Sequence, residues 1–295
     1  MTEQFKMDAP ATARRLDDMA QGLVGAPLDR PEGPLKVSGT ATYANEWQVE
    51  GMVHGVMVRA PGNSGRVVLA NRDDVAKMPG VLAVIQDERL LRNPAQGTAN
   101  KAPIQGPDHA AYLGQLIAVV VAEGFEQARH ATQSLKVELE NGEVMPVDPA
   151  TAAVEPQEAK TLDQGDLDGA MQEAAFSVDV TYTTPSHSSS PMEPHASIAS
   201  WDGDDLTLRG SYQMLKYNRN ELSDALGIHP DRLRILSPYV GGGFGSKLGI
   251  APEAVAAAIA AREVGRPVSV ALQRPQVYEA TMRRSETTQR VRLAA

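Results

Sequence analysis

The chain has 295 residues, of which 42% are hydrophobic and 22% charged, a composition typical of a globular protein large enough for two domains. The 28 basic and 37 acidic residues give a net charge of −9, which argues against nucleic acid as a partner. No run approaches the roughly 18 apolar residues that a membrane-spanning helix needs, so we expect no insertion into a membrane.

Cysteine is absent from the sequence, and its absence excludes several kinds of site on this chain. Without thiolates the chain can form no disulfide, cysteine nucleophile or iron–sulfur cluster. The six histidines show no spacing typical of metal ligands, so we predict no metal ion held by protein side chains. If the protein transfers electrons, the clusters that accept them must lie on another chain.

Hydrophobic patterning predicts that strands alternate with short helices from residue 35 to residue 140. Residues 1–30 are polar and predict a poorly packed arm, and the turn residues of 87–108 predict a loop. The predicted strands cover residues 53–58, 66–69, 81–85, 116–122 and 135–140. The predicted helices cover residues 72–78 and 125–134.

Proline, glycine and acidic residues collect over residues 141–165 and predict a linker between two halves of the chain. Both helices predicted beyond it end at a glycine that is soon followed by proline, the usual stop signal. These helices cover residues 215–226 and 252–264. The strands predicted beyond the linker cover residues 175–183, 205–211, 233–237, 268–272 and 291–295.

Residues 240–248, with the sequence Val-Gly-Gly-Gly-Phe-Gly-Ser-Lys-Leu, form the most informative segment. The glycines lack Cβ atoms and tolerate positive φ angles, so this backbone can approach a ligand closely. The segment lies between a predicted strand and a predicted helix, the usual layout of a backbone cradle around a phosphate or an extended polar cofactor. Phe244 stands alone among the glycines, as expected of a ring placed against a flat ligand. A purely structural glycine turn is the alternative.

The spacing of this loop does not match the two common nucleotide-binding motifs. A Walker A loop would need Ser or Thr after Lys247, but Leu248 follows. A Rossmann fingerprint that begins at Gly241 would need Gly or Ala at the position of Ser246. An unrelated nucleotide-binding protein is therefore the weakest of the functional alternatives.

The run Gly-Gly-Gly-Phe-Gly-Ser-Lys closely resembles the pterin-binding loop of the xanthine dehydrogenase and aldehyde oxidase family. Residues 34–44 resemble the opening strand of the family's α/β hammerhead domain, and residues 114–129 resemble its second half. Residues 192–196, Met-Glu-Pro-His-Ala, are similar to the motif that opens the molybdopterin-binding domain. Residues 212–214, Tyr-Gln-Met, are similar to the segment whose glutamine reaches the apical oxo group of the metal. In detail the sequence is most similar to bacterial large subunits of the periplasmic aldehyde oxidoreductase type.

The resemblance implies an α+β fold in two parts. An α/β hammerhead domain is expected at residues 30–145, and an incomplete molybdopterin-binding domain, its first part, at residues 160–295. Large subunits of this family are much longer than this chain, so we expect either half of a split subunit or a truncated product. The glutamate base of the family is expected outside this chain.

Enzymes of the family oxidise aldehydes or aromatic heterocycles with water as the oxygen source, and the resemblance implies this function for an assembly that contains the chain. It implies cofactor contacts from Gly242, Gly243, Phe244 and Gly245 and a catalytic contact from Gln213. The implied cofactor is molybdenum–molybdopterin, in the cytosine dinucleotide form. The implied partners are an iron–sulfur small subunit with 2Fe–2S clusters, an FAD-binding medium subunit and a separate C-terminal half of the large subunit.

Several residues keep a plainer interpretation beside the one implied by the family. Gln213 would serve in an anonymous protein as a surface amide, and His195 is interpreted as a hydrogen-bonded core histidine. Glu193 is interpreted as a buried acid with hydrogen-bond partners, because glutamate is seldom buried unpaired. Leu248 occupies the position where purine-oxidising members carry glutamate, which favours aldehydes or apolar aromatics as substrates.

The alternative function is a non-catalytic assembly or remnant module of such an enzyme. In either case the isolated chain is expected to be inactive. Residues 1–23 carry charges throughout and lack the apolar core of a secretory signal. This predicts a cytoplasmic location, with export to the periplasm alongside a partner as the alternative.

Overall fold

The computed structural model of the protein describes residues 26–91, 106–142 and 161–295. The chain divides into two compact units, residues 1–41 and residues 42–295. The predicted N-terminal arm, the predicted long loop and the predicted linker lie largely outside the described residues.

The segment predicted as an opening strand, residues 34–44, contains no strand. It begins as a short helix, α1 (Gly33–Val37), with Pro34 in the first turn, where the fixed φ of proline suits a helix. The amide of Thr40 donates to the carbonyl of Leu35 (2.9 Å) as the chain leaves the helix. The prediction is wrong here because the position of the proline favours a helical turn over an extended segment.

The second unit contains the other described strands and helices. In chain order its strands are β1 (Val53–Arg59), β2 (Gly65–Leu69), β3 (Val81–Ile85), β4 (His109–Ala110), β5 (Leu116–Ala122), β6 (Val137–Glu140), β7 (Ser177–Thr184), β8 (His187–Ser188), β9 (Ala196–Asp202), β10 (Asp205–Gly210), β11 (Leu233–Leu236), β12 (Val268–Ala271), β13 (Arg283–Arg284) and β14 (Thr287–Ala294). Its helices are α2 (Arg72–Ala76), α3 (Phe125–Ser134), α4 (Leu167–Glu173), α5 (Leu215–Leu226), α6 (Pro252–Val264) and α7 (Arg274–Ala280).

A seven-stranded mixed sheet, in the order β11-β10-β9-β12-β1-β5-β3, is the centre of the second unit. The pairs β10–β11 and β12–β1 are parallel, and the other neighbours are antiparallel. The β12–β1 pair aligns Val53 with Val268. One sheet therefore contains strands from both of the predicted domains.

Strand β5 and helix α6 occupy the core of this unit. Every residue of β5 is fully buried, as its continuous apolar run predicts. Helix α6 is rich in alanine and is buried along most of its length against β9 and β12. Gly55 in β1 also permits close packing, because a Cβ atom there would lie 2.8 Å from Cγ2 of Val270.

The predicted elements are confirmed to within a few residues at their ends, apart from the opening strand. The strand predicted at residues 135–140 begins only at Val137, because Leu135 closes helix α3. The sequence pattern does not predict β9, α4 or α7. Strand β9 consists mainly of small and polar residues, and its burial comes from its position between β10 and β12.

Strands β7 and β14 form a two-stranded antiparallel ribbon apart from the main sheet, with α4 in contact with β14. Val178 pairs with Leu293 on one face, and both side chains are exposed. On the other face the Arg290 guanidinium donates to both carboxylate oxygens of Asp179 (2.8 and 2.6 Å). Among the described helices of the protein, none has the length and apolar character needed to cross a membrane.

Candidate cofactor-binding site

Three loops meet at one edge of the main sheet. Because β10 and β11 are parallel, the loops that follow them leave the sheet at the same edge. Strand β9 runs antiparallel to β10, so the residues that precede β9 lie at that edge too. The three motifs identified in the sequence, at residues 192–196, 212–214 and 240–248, are thereby brought together.

The glycine loop, residues 240–248, depends on left-handed backbone conformations. Gly242 and Gly245 have φ angles of +99° and +94°, which favour glycine. Phe244 has a φ of +52°, and such a conformation costs a non-glycine residue on the order of 1–3 kcal/mol. Its side chain is 66% exposed, and its carbonyl accepts a hydrogen bond from the Ser189 hydroxyl (3.1 Å). A strained, exposed aromatic residue of this kind is typical of a functional position.

Gln213 is attached to the glycine loop through the backbone of Lys247. The Gln213 backbone amide donates to the Lys247 carbonyl (2.9 Å), and the Lys247 amide donates to Oε1 of Gln213 (3.1 Å). Within the described part of the chain, Nε2 of Gln213 has no hydrogen-bond acceptor, and the residue is exposed. The glutamine therefore presents an N–H donor outward.

Gly243 leaves the space that Gln213 occupies. A Cβ atom at position 243 would collide with Oε1 of Gln213 and lie 2.5 Å from its Cδ. The sequence interpretation attributes this glycine to close approach of a ligand. In the structure, the missing side chain accommodates the glutamine amide.

Lys247 and Glu193 form a buried ion pair beneath the loop, with 2.8 Å between Nζ and Oε2 and side-chain exposures of 0% and 8%. The carboxylate also accepts hydrogen bonds from the Ser211 hydroxyl (2.6 Å) and the amides of Gly241 (2.6 Å) and Ala44 (3.2 Å). Burial raises the pKa of Glu193, but the hydrogen bonds from Lys247, Ser211 and Gly241 outweigh it and hold the pKa below its ordinary value. The interpretation of Glu193 as a buried, hydrogen-bonded acid is confirmed.

His195 is a hydrogen-bonded core histidine, as the sequence analysis predicts. Its Nε2 lies 3.0 Å from the carbonyl of Ser246, and because a carbonyl only accepts, Nε2 carries the proton. The residue is 2% exposed, and burial lowers its pKa to about 4. Within the described residues its Nδ1 has no hydrogen-bond partner.

A second buried acid, Glu253, lies in the first turn of α6, just beyond the glycine loop. Its Oε1 accepts from the Ser197 hydroxyl (3.2 Å), which lies 2.5 Å from the hydroxyl of Tyr212. Its Oε2 has no hydrogen-bond partner in the described part of the chain, and burial raises its pKa to about 7. The sequence analysis missed this residue. A lone acid in an alanine-rich helical run was the available signal.

A cavity of about 120 Å³ opens beside the glycine loop, lined by Phe244, Gly245, Leu248, Met282 and Arg284 among others. A larger cavity, about 700 Å³, shares no lining residue with the loop, so size alone does not select the site. Among the described residues, no group of three or more His, Asp and Glu side chains could hold a metal ion.

Comparison with known families accounts for most of the chain. Residues 38–143 match the aldehyde oxidase and xanthine dehydrogenase a/b hammerhead domain, and residues 153–295 match the molybdopterin cofactor-binding domain. The chain is 42% identical over 297 residues to the aldehyde oxidoreductase molybdenum-binding subunit PaoC of Escherichia coli (strain K12), covering 99% of this chain and 40% of PaoC. It is 28% identical over 272 residues to the nicotine 6-hydroxylase large subunit of Paenarthrobacter nicotinovorans, covering 85% of this chain and 33% of that subunit.

Solved structures show the same architecture. Quinoline 2-oxidoreductase from Pseudomonas putida 86 matches 90% of this chain and 37% of its own with a TM-score of 0.77 at 23% identity. The aldehyde oxidoreductase from Desulfovibrio gigas matches 90% of this chain and 32% of its own with a TM-score of 0.75 at 25% identity. The predicted fold, a hammerhead domain followed by part of a molybdopterin-binding domain, is confirmed.

The chain spans at most about two fifths of the length of the curated relatives described above. The two matched domains follow one another along the sequence, and the second contains the glycine loop and Gln213. The chain thus belongs to the aldehyde oxidase and xanthine dehydrogenase family and corresponds to the hammerhead domain and part of the molybdopterin cofactor-binding domain of its molybdenum-binding subunits.

Proposed function

We propose that this chain forms one wall of a molybdenum–molybdopterin site in an enzyme that oxidises aldehydes or aromatic heterocycles with water as the oxygen source. The observation that carries the proposal is the orientation of Gln213. Oε1 is held by the Lys247 amide, Nε2 has no acceptor among the described residues, and the ring of Phe244 in the same loop is exposed. The 42% identity to a molybdenum-binding subunit supports the assignment.

The residues of the loop fit this cofactor. The exposed ring of Phe244 offers a flat surface to a pterin, and Gly242 and Gly245 carry no side chain that would obstruct it. Nε2 of Gln213 would donate to an oxygen of the metal centre without changing the charge of the site. When bound, the molybdenum centre would supply the oxidation chemistry. The chain itself binds and orients the cofactor.

The finer assignments are part of the same proposal. Because the chain contains no cysteine, iron–sulfur clusters that accept electrons would reside on a small subunit, and FAD on a medium subunit. We infer the cytosine dinucleotide form of the cofactor. The family matches at residues 38–143 and 153–295 support the proposed domains at 30–145 and 160–295.

Replacing Phe244 by alanine tests the cofactor assignment. In the assembled, dialysed enzyme we expect Phe244→Ala to weaken molybdenum retention on the order of tenfold or more, because it removes about 2 kcal/mol of apolar contact. Phe176→Ala is the matched control, since Phe176 is also exposed but lies at the end of the β7–β14 ribbon. Equal molybdenum content in the two variants would contradict the assignment of the glycine loop to the cofactor site.

The alternative to this enzymatic role is a non-catalytic assembly module. Two measurements, bound molybdenum and aldehyde-dependent dye reduction, separate the candidates when they are made on residues 1–295 alone and on residues 1–295 combined with the remaining length of a family subunit. We expect no turnover by the chain alone and turnover on reassembly. A chain that stays inactive in every reassembled mixture supports the module instead.

Leu248 favours aldehydes over purines as the proposed substrates. Its apolar side chain lines the cavity beside Phe244, where a purine would find no hydrogen-bond partner from this residue. We expect the assembled enzyme to prefer an aromatic aldehyde over hypoxanthine by at least about tenfold in kcat/KM. A side-by-side rate comparison that favours hypoxanthine reverses the assignment.

A further inference from the structure

We infer that the buried pair Glu193–Lys247 is a positioning device that fixes the orientation of Gln213 and both ends of the glycine loop. Its consequence for the cofactor rests on the function proposed above. The pair joins segments that meet only through folding: the turn before β9, the residues after β10 and the loop after β11.

The ammonium group of Lys247 is held from several directions. Nζ donates to Oε2 of Glu193 (2.8 Å), to the Glu193 carbonyl (3.1 Å) and to the Ser211 hydroxyl (3.0 Å). These acceptors use all the protons of the ammonium group. Because the side chain is fully buried, a shift of residue 247 would leave a charge without partners in the interior.

The fixed backbone of Lys247 in turn determines where Gln213 points. The Lys247 amide holds Oε1 of Gln213, and its carbonyl accepts from the Gln213 amide. At the other end of the loop, Oε2 of Glu193 accepts from the amide of Gly241 (2.6 Å). One carboxylate oxygen therefore restrains residues 241 and 247 together, and the strained Phe244 lies between them.

A positioning role differs from a role in overall stability. Removing Lys247 alone leaves a buried carboxylate without its counter-ion, which destabilises the fold itself. Replacing both members by neutral side chains of similar volume, Glu193→Gln with Lys247→Met, is often tolerated at buried pairs. The double variant removes the charged pair and the hydrogen bonds of Nζ while it keeps the core filled.

The experiment uses the full chain and needs no cofactor. Hydrogen exchange across residues 241–247 and the side-chain amide signals of 15N-labelled Gln213, assigned with Gln213→Ala, are recorded for wild type and variants. In the double variant we expect loop exchange to accelerate at least about tenfold while β5 stays protected, and the Gln213 signals to move to the positions of solvent-exposed glutamines. Ser211→Ala removes one acceptor of Lys247 and one donor to Glu193 and should give a smaller change of the same kind. Lys136→Met, at an exposed lysine, should give none.

Unchanged loop exchange and unchanged Gln213 signals in a folded double variant overturn the inference. If the double variant unfolds, the same measurements on Ser211→Ala replace it. Loop exchange and Gln213 signals identical to wild type in Ser211→Ala overturn the inference as well. Failure of the proposed function gives a different result. The loop then loosens as expected, but the reassembled enzyme keeps its molybdenum.

Discussion

The side chain of Gln213 fills the space beside Gly243, and this explains why residue 243 is a glycine, which the sequence motif alone does not. The glutamine side chain occupies the position where a Cβ atom of residue 243 would lie. By contrast, a Cβ atom at Gly245 would fit without a collision, because its nearest neighbour, Nη2 of Arg284, would lie 3.7 Å away. Gly245 instead has a φ of +94°. Two glycines of one motif are therefore needed for different reasons, one for a neighbour and one for its own backbone.

This difference predicts the outcome of a double-mutant cycle. Gly243→Ala should destabilise the chain by about 1 kcal/mol, because it expels Gln213 from its hydrogen bond with Lys247. Gln213→Ala should relieve the collision, so that Gly243→Ala costs little in that background. Gly245→Ala should cost about 1–2 kcal/mol in both backgrounds, because its strain is in the backbone. Urea unfolding of the variants measures the cycle, and additive costs of Gly243→Ala and Gln213→Ala would contradict the structure.

Two buried titratable residues near the loop act on stability with opposite signs. Glu253 has a pKa of about 7 when folded against an ordinary value of 4.5, so the folded state keeps a proton that the unfolded state loses, and stability falls as pH rises between these values. His195 has a pKa of about 4 when folded against 6.5, so stability falls as pH decreases from 6.5 toward 4. Where the two pH ranges overlap, the opposite effects of Glu253 and His195 on the free energy of unfolding offset each other.

Single substitutions should expose the two effects. In wild type, titration of Glu253 lowers the free energy of unfolding as the pH rises from 5 to 6.5. Glu253→Gln removes this loss, so over the same pH range its free energy of unfolding should rise by about 1–2 kcal/mol relative to that of wild type. His195→Gln should lose a similar amount over the same range. Urea unfolding at the two pH values measures both slopes. A pH profile of Glu253→Gln parallel to that of wild type would show that the buried acid does not titrate in this window.

At the scale of secondary structure, local pattern predicted most elements, and the failures have physical causes. The apolar run of β5 and the proline-to-glycine span of α6 carry their own signals, and both are found as predicted. Strand β9 carries little signal, because its structure is imposed by hydrogen bonds to β10 and β12. Helix α1 shows the reverse error, since a family likeness suggested a strand where Pro34 favours a helical turn.

The candidate site also contains residues that a local sequence pattern could identify and residues that it could not. Gln213 and the glycine loop could be identified by motif, because each is a short contiguous segment. Their support could not, because Glu193, Ser211 and Lys247 are distant in sequence and meet only when the strands pair. No local pattern marks Lys247 as fully buried, since lysine is ordinarily a surface residue.

At the scale of the whole molecule, the shared sheet predicts that the two family domains unfold together. Gly55 on β1 lies between side chains of both, because a Cβ atom there would be 2.8 Å from Cγ2 of Val270 and 3.1 Å from Cγ2 of Val119. Gly55→Val should therefore destabilise both by about 1–3 kcal/mol through overpacking. Hydrogen exchange of β5 and β9 in increasing denaturant measures this effect. Separate transitions for the two strands, or a shift in only one of them, would show that the domains are independent.

Because β1 pairs with β12, which lies far along the chain, strand β1 must wait for its partner during synthesis. Val53 leaves the ribosome long before Val268, its neighbour in the sheet, and at about 5–20 residues per second the delay is on the order of ten seconds or more. Until then, the β1 edge that β12 will cover has unpaired backbone groups that can bind other chains. The nascent chain therefore has an interval in which a chaperone that covers this edge would determine the yield of folded protein.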